Sequence, residues 1–173
     1  MSKKLNIGCG RDVLKDYINL DIVKLPGVDI VHNLNKYPYP FKDNEFDKIY
    51  CNHVLEHVED LIKIMGELKR ISKPNAIIKI KGPHFSCGVN YRDPTHKRTF
   101  SYFTFNYFNN SFIEYDLPQF KVIERKLNTA RTKPKILNPI FNPIFNLIPA
   151  TYERFLCWIF PVSEVSFKLK VIK

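Results

Sequence analysis

Apolar positions in the first half of the chain come in short runs, each closed by a glycine, a proline or a polar turn. Residues 4–7, 18–22, 28–32, 45–52 and 76–81 follow this pattern, as in Leu5-Asn6-Ile7 and Ile77-Ile78-Lys79-Ile80, and predict five strands. Between the last two, Val54, Leu55, Val58, Leu61, Ile62, Met65, Leu68 and Ile71 recur at threes and fours. That spacing predicts a helix over 53–72, ended by Pro74-Asn75. Residues 120–127 and 165–172 predict two more strands, paired as a hairpin-like edge. Strands alternating with helix signals imply an α/β fold. The expectation is an open, mostly parallel sheet with helices on both faces and an antiparallel C-terminal edge strand, in a single domain over residues 1–173.

Two stretches depart from this rhythm. Residues 84–119 mix polar residues with aromatics, including Phe85, Tyr91, Phe100, Phe105 and Phe108, and read as an aromatic insert on the substrate side, helical in part over 101–109. Residues 133–161 form an apolar, proline-broken insert before the last strand. It contains a tandem repeat, Asn138-Pro139-Ile140-Phe141 and Asn142-Pro143-Ile144-Phe145. Prolines four apart disfavour a continuous helix, so turns or short helical pieces are expected. Residues 136–152 carry no charge, but three prolines and three asparagines argue against a membrane span. With Arg131, Lys133 and Lys135 ahead of it, residues 136–160 suit peripheral contact with an anionic bilayer, cover for an apolar substrate, or a homodimer or core-packing face.

Charge sharpens the division. Residues 1–60 hold 8 Lys/Arg against 10 Asp/Glu, net −2, and residues 61–173 hold 19 against 7, net +12. The C-terminal two thirds therefore favours anionic partners: small anionic or glycan-like substrates, an acidic membrane surface and, less so, nucleic acid. The four cysteines have no C-x-x-C spacing, and the opening Met1-Ser2-Lys3-Lys4-Leu5 runs straight into a strand. Reduced thiols and a cytoplasmic location, peripheral to the membrane if the apolar insert docks there, are the expectation.

The first candidate chemistry is Gly8-Cys9-Gly10 after the opening strand, followed by Asp21 at the tip of the second. A glycine lets backbone approach a ligand closely, and a carboxylate at the next strand end accepts hydrogen bonds from both ribose hydroxyls. Asp21 follows Gly10 by eleven residues, and no third glycine completes the dinucleotide fingerprint. A full crossover helix does not fit between the two; one or two turns over 12–17 do.

The run Tyr39-Pro40-Phe41-Lys42-Asp43-Asn44-Glu45-Phe46-Asp47, then His53-Val54-Leu55-Glu56-His57, resembles the class I S-adenosylmethionine-dependent methyltransferases, in a type 11-like branch. Asn33-Leu34 and Asp93-Pro94-Thr95-His96-Lys97-Arg98 are similar too. The resemblance implies a Rossmann-like sheet with S-adenosyl-L-methionine as cofactor. It implies that Gly8, Cys9 and Gly10 pass the methionine portion, and that Asp21 holds the ribose. Ile22 and Leu34 would sandwich the adenine, with Asn33 at its amino edge, where the family usually has an acid. Asn52 and His53 would line the floor. The helices that cover the cofactor in the family are reduced here. The site is thus expected to be open, closed by residues 84–100, or completed by a second chain.

His84, after the fifth strand, and Asp93 with His96 are the candidate catalytic residues. A histidine at the carboxyl end of a parallel strand faces the ligand crevice and takes a proton near neutral pH. Lys97 and Arg98 suit an anion clamp. His53-x-x-Glu56-His57 also matches a zinc-hydrolase spacing, with both histidines on one helix face. No third ligand is apparent in the sequence, and no metal is assigned. The function expected is methyl transfer to O or N of a small-molecule, glycan or lipid-linked acceptor. The alternatives are a nucleic-acid-binding methyltransferase and a non-catalytic assembly module of the same fold.

Overall fold

The computed structural model describes residues 2–109, 117–130 and 135–173. Seven strands form one sheet: β1 (Lys4–Ile7), β2 (Ile18–Asp21), β3 (Ile30–Val31), β4 (Phe46–Asn52), β5 (Ser72–Pro83), β6 (Phe120–Asn128) and β7 (Glu164–Val171). Their order is β3-β2-β1-β4-β5-β7-β6. The first five strands run parallel, and β7 is antiparallel to both β5 and β6. The final strand is thus the antiparallel one, as expected, but it lies inside the sheet and β6 is the outer edge. The apolar content explains the swap. Val165, Phe167, Leu169 and Val171 are all buried, whereas β6 exposes Lys121, Ile123, Glu124 and Lys126.

Only one long helix crosses between parallel strands, α1 (Leu61–Ile71). Ile64, Met65, Leu68 and Ile71 are its buried face. Asp60 caps it by accepting from the Lys63 N–H at 3.0 Å, while Lys69 and Arg70 lie in the last turn, where cations suit the helix dipole. The helix expected over 53–72 is therefore shorter at its start. His53 takes a left-handed φ of 52° and residues 53–60 fold as turns. At its other end, β5 begins directly at Ser72. Phe46 pairs with Ser72 and Lys48 with Ile77, so residues 73–76 form a bulge with Asn75 at φ 64°. Pro74 sits in that bulge, where its missing N–H breaks no ladder bond.

Residues 8–17 cross from β1 to β2 through turns alone. The Asn19 side chain holds this short crossover. It accepts from Leu14 N–H at 2.9 Å and donates to the carbonyls of Leu14 and Tyr17 at 3.1 Å each. Buried Asn6 reaches Asn19 Oδ1 at 2.9 Å.

The insert over 84–119 holds a short helix α2 (Val89–Arg92) and a 3-10 turn, Thr104–Phe108. Three of its aromatics turn inward. Phe100, Phe105 and Phe108 are buried, and Phe105 packs edge-on to Phe167 at 4.6 Å. These three complete the core over β7, while Tyr91 and Tyr107 of the same insert are exposed. Residues 110–116 of this insert, and Arg131 and Lys133, lie outside the described residues.

The tandem repeat forms one helix, α3 (Asn138–Leu147), with Pro139 in its first turn and Pro143 inside it. The expectation of broken turns missed what the asparagines do. Asn138, Asn142 and Asn146 stand four apart, on one helix face. Asn138 exchanges two hydrogen bonds with Ala130 (2.7 and 2.9 Å), Asn142 accepts from Thr129 N–H and Oγ1 (2.8 and 2.7 Å), and Asn146 exchanges two with Leu127 (2.8 and 2.9 Å). This ladder completes the backbone bonding of the chain leaving β6 and offsets the bond lost at Pro143. The opposite face is apolar and open: Ile140, Ile144 and Leu147 are exposed, as are Phe155 in the π-helical turn Tyr152–Leu156 that follows Pro149–Thr151, and Trp158 and Ile159 after it. No helix among the described residues is long and apolar enough to cross a membrane.

Candidate functional site

A cavity of about 310 Å³ opens beyond the carboxyl ends of β1, β2 and β4. Gly8, Leu20, Asp21, Ile22, Asn33, Leu34, Asn35, His53, Val54, His57 and Val58 line it. A larger hollow of about 630 Å³ lies between β6 and α3, but no convergent set of acids or histidines faces it.

The glycine turn is specified by backbone geometry. Gly8 has φ 62°, and a Cβ there would fall 2.2 Å from Val54 Cγ2. Gly10 has φ 51° and donates its N–H to Asp21 Oδ2 at 2.8 Å, while Asp21 Oδ1 accepts from Val23 N–H at 3.1 Å. The carboxylate is thereby locked against the turn, with further lone pairs free for two adjacent hydroxyls. A nucleoside fits this arrangement: a backbone cradle that a Cβ would fill, a fixed acid, and apolar Ile22 and Leu34 on the same wall.

Of the nine residues expected at a cofactor, six line the cavity: Gly8, Asp21, Ile22, Asn33, Leu34 and His53. Cys9, Gly10 and Asn52 stand beside it. Cys9 is buried, its N–H bonded to the Leu20 carbonyl at 3.0 Å. Gly10 acts through Asp21, and Asn52 Nδ2 lies 3.4 Å from Asp12 Oδ2. Asn33 Oδ1 is engaged by Asn35 N–H at 2.9 Å. Val54, His57 and Val58 were hidden in the sequence because residues 53–60 read as helix; as turns they wrap over the opening. Arg98 holds those turns by donating to the carbonyls of Leu55, Val58 and Glu59. Lys97 Nζ faces Glu59 at 3.4 Å. Neither is a free anion clamp.

His84 does not face the crevice. It is fully buried, with Nδ1 against Ser86 Oγ at 2.8 Å and Nε2 against Glu153 Oε1 at 3.0 Å. Both ring nitrogens are engaged inside the fold, so His84 joins the end of β5 to the π-helical turn and is not placed to take a substrate proton. Burial pushes the Glu153 carboxyl up, but bonds from His84, Tyr102 N–H and Ser101 hold it below its ordinary range.

His53, His57 and His96 converge. His53 lies between two acids, Nδ1 3.2 Å from Glu56 Oε1 and Nε2 2.8 Å from Glu164 Oε2. Burial raises the Glu164 carboxyl, and His53, Lys81 and Asn128 more than reverse it. His57 Nδ1 meets Thr95 Oγ1 at 2.9 Å, and that hydroxyl donates to Asp93 Oδ1 at 2.6 Å. His96 stacks edge-on to His57 with centroids 4.8 Å apart, its Nε2 3.7 Å from Asp93 Oδ2. The two Thr95 bonds hold the Asp93 carboxyl below its ordinary range. Asp93 and His96 are therefore brought together, as expected, but behind His57 and apart from His84.

Residues 2–117 match a family described as a methyltransferase domain. A 45-residue stretch is 40% identical to the uncharacterized methyltransferase C1B3.06c of Schizosaccharomyces pombe, covering 26% of this chain and 16% of that protein. The fold is similar to that of YcgJ from Bacillus subtilis, with a TM-score of 0.64 at 14% identity over 99% of this chain and 92% of that one. It is similar also to a SAM dependent methyltransferase from Archaeoglobus fulgidus, with a TM-score of 0.60 at 18% identity over 98% and 86%. A sheet ordered β3-β2-β1-β4-β5-β7-β6 with a ligand-sized cavity at its carboxyl edge, together with a family match over most of the length, leads to one conclusion: the chain belongs to the methyltransferase-domain family, with the Rossmann-like fold of the class I methyltransferases.

Proposed function

We propose that this chain transfers a methyl group from S-adenosyl-L-methionine to oxygen or nitrogen of a small-molecule, glycan or lipid-linked acceptor. The observation that carries the reading is the Asp21 carboxylate fixed against the Gly8-Cys9-Gly10 turn, on the wall of a cavity beyond parallel strand ends. Asp21 accepts the ribose hydroxyls, Ile22 and Leu34 flank the base, and the backbone at Gly8 admits the methionine portion. When bound, the cofactor supplies an electrophilic methyl on a positively charged sulfur. The protein's task is then alignment and removal of the acceptor's proton. The acceptor's proton leaves on the side of the cavity walled by His57, with Asp93 and His96 behind it.

The acceptor class rests on the apolar shelf formed by Ile140, Ile144, Leu147, Phe155, Trp158 and Ile159. Lys135 and Arg154 border it in a region of net positive charge, which suits an anionic bilayer carrying a lipid-linked acceptor. Calorimetric titration with S-adenosylmethionine and S-adenosylhomocysteine tests the cofactor. Saturable binding is expected, weakened at least tenfold in Asp21→Ala, as loss of a charged hydrogen-bond acceptor worth about 1.5–3 kcal/mol implies. Absence of heat and of thermal shift at millimolar ligand overturns the reading.

A further inference from the structure

We propose that Glu56, His57 and His96 form a binding site for a divalent transition-type cation, zinc by its donor set, at the edge of the cofactor cavity. One ligand atom from each of the three lies within 4.8 Å of the others. Two of the polar atoms are buried and lack any partner: Glu56 Oε2, on a side chain 1% exposed, and His96 Nδ1, on one 6% exposed. A half-satisfied carboxylate and a bare ring nitrogen are each costly in the interior, and a cation shared by their side chains removes both costs.

The surroundings are arranged as the outer shell of such a site. Asp93 stands behind both rings, reaching His57 Nδ1 through the Thr95 hydroxyl and facing His96 Nε2 directly. Because Thr95 Oγ1 gives its hydrogen to Asp93, it accepts the His57 Nδ1 hydrogen, which leaves His57 Nε2 with a lone pair. The same carboxylate behind His96 leaves Nδ1 as that ring's donor atom. Carboxylate-backed imidazoles of this kind are oriented, strengthened metal ligands. Two imidazoles and one carboxylate, with a position left open, match catalytic zinc and related divalent sites. Ligands at about 2.0–2.1 Å around a tetrahedral ion lie roughly 3.4 Å apart, so the cluster closes on the ion by small side-chain rotations.

The spacing His53-x-x-Glu56-His57 is thus wired differently from a helical zinc motif. His53 is taken by Glu164, and the missing ligand is His96, delivered by the Asp93-Pro94-Thr95-His96 loop. Since His57 lines the cavity, an acceptor hydroxyl bound at the ion's open position would lose its proton more easily. That role rests on the proposed methyl transfer; the ion site itself does not.

The test uses chelator-treated protein without cofactor, titrated with Co2+ and with Zn2+. One equivalent of Co2+ is expected to give the intense visible absorption of a four- or five-coordinate ion, displaced by Zn2+. His96→Ala is expected to lower affinity at least a hundredfold while S-adenosylhomocysteine binding, which the Gly8 turn and Asp21 carry on the far side of His57, stays within twofold. Asp93→Asn is expected to lower it about tenfold or more. A Co2+ spectrum that stays that of the aqueous ion, or wild-type affinity retained in folded His96→Ala, overturns the site. Failure of the cofactor reading shows separately, as absent nucleoside binding in a protein that still takes up metal.

Discussion

Replacing Gly8 by alanine tests the cofactor turn more sharply than removing a polar contact. Two costs add at this position. A left-handed residue with a Cβ costs about 1–2 kcal/mol. The new Cβ would also stand 2.2 Å from Val54 Cγ2 and 2.7 Å from Val54 Cβ, far inside normal contact, and such overpacking costs about 1–3 kcal/mol. Gly10 is the internal control: its φ is 51°, but a Cβ there meets nothing within 4 Å, so Gly10→Ala carries only the conformational cost. Gly8→Ala is therefore expected to lose about 1–3 kcal/mol more than Gly10→Ala in urea unfolding. Because Val54 lines the cavity, its displacement also weakens S-adenosylhomocysteine binding by tenfold or more. Val54→Ala removes the nearest methyl but leaves Cβ, so the double variant recovers part of the loss, with a coupling of about 1 kcal/mol. Equal losses at Gly8 and Gly10, unchanged affinity and no coupling would refute the reasoning.

Asn146→Ala strips both partners from the backbone of fully buried Leu127; a loss of about 1–3 kcal/mol is expected, with faster amide exchange confined to residues 127–130. Glu153 titrates below its ordinary value of 4.5 in the folded protein, so its contribution is complete above that pH and is lost as pH falls through the lowered value. Acid titrations of stability should show a steeper fall below pH 4.5 in the wild type than in Glu153→Gln, and parallel curves would contradict this. Trp158 is the only tryptophan and is 66% exposed, so its emission reports on the apolar shelf. A blue shift with phosphatidylserine vesicles but not with phosphatidylcholine vesicles is expected; no shift with either argues against bilayer contact.

Much of the molecule was legible from local pattern. Strands β1, β2, β4 and β7 announce themselves because their apolar positions are short runs or alternate with polar ones, the period of a strand with a buried face. The glycine turn and Asp21 were visible for a related reason: a backbone cradle needs glycine, and no side-chain pattern imitates it. His53 to Asp60 misled because apolar residues at threes and fours look helical whether or not the backbone turns there. The spacing cannot register that His53 adopts a positive φ between Glu56 and Glu164, since Glu164 lies at the far end of the chain. The Asn-Pro repeat misled for the converse reason. Proline is a local helix breaker, whereas the Asn138, Asn142 and Asn146 ladder that outweighs it depends on a strand end packed alongside. His84 and His96 show the same boundary. Sequence placed both after strand five, but only long-range packing turned one inward onto Glu153 and brought the other to His57. Local periodicity and backbone exceptions belong to the sequence, because each is decided within a few residues. Which acid meets which histidine is decided by contacts between distant segments, and those exist only once the sheet has assembled.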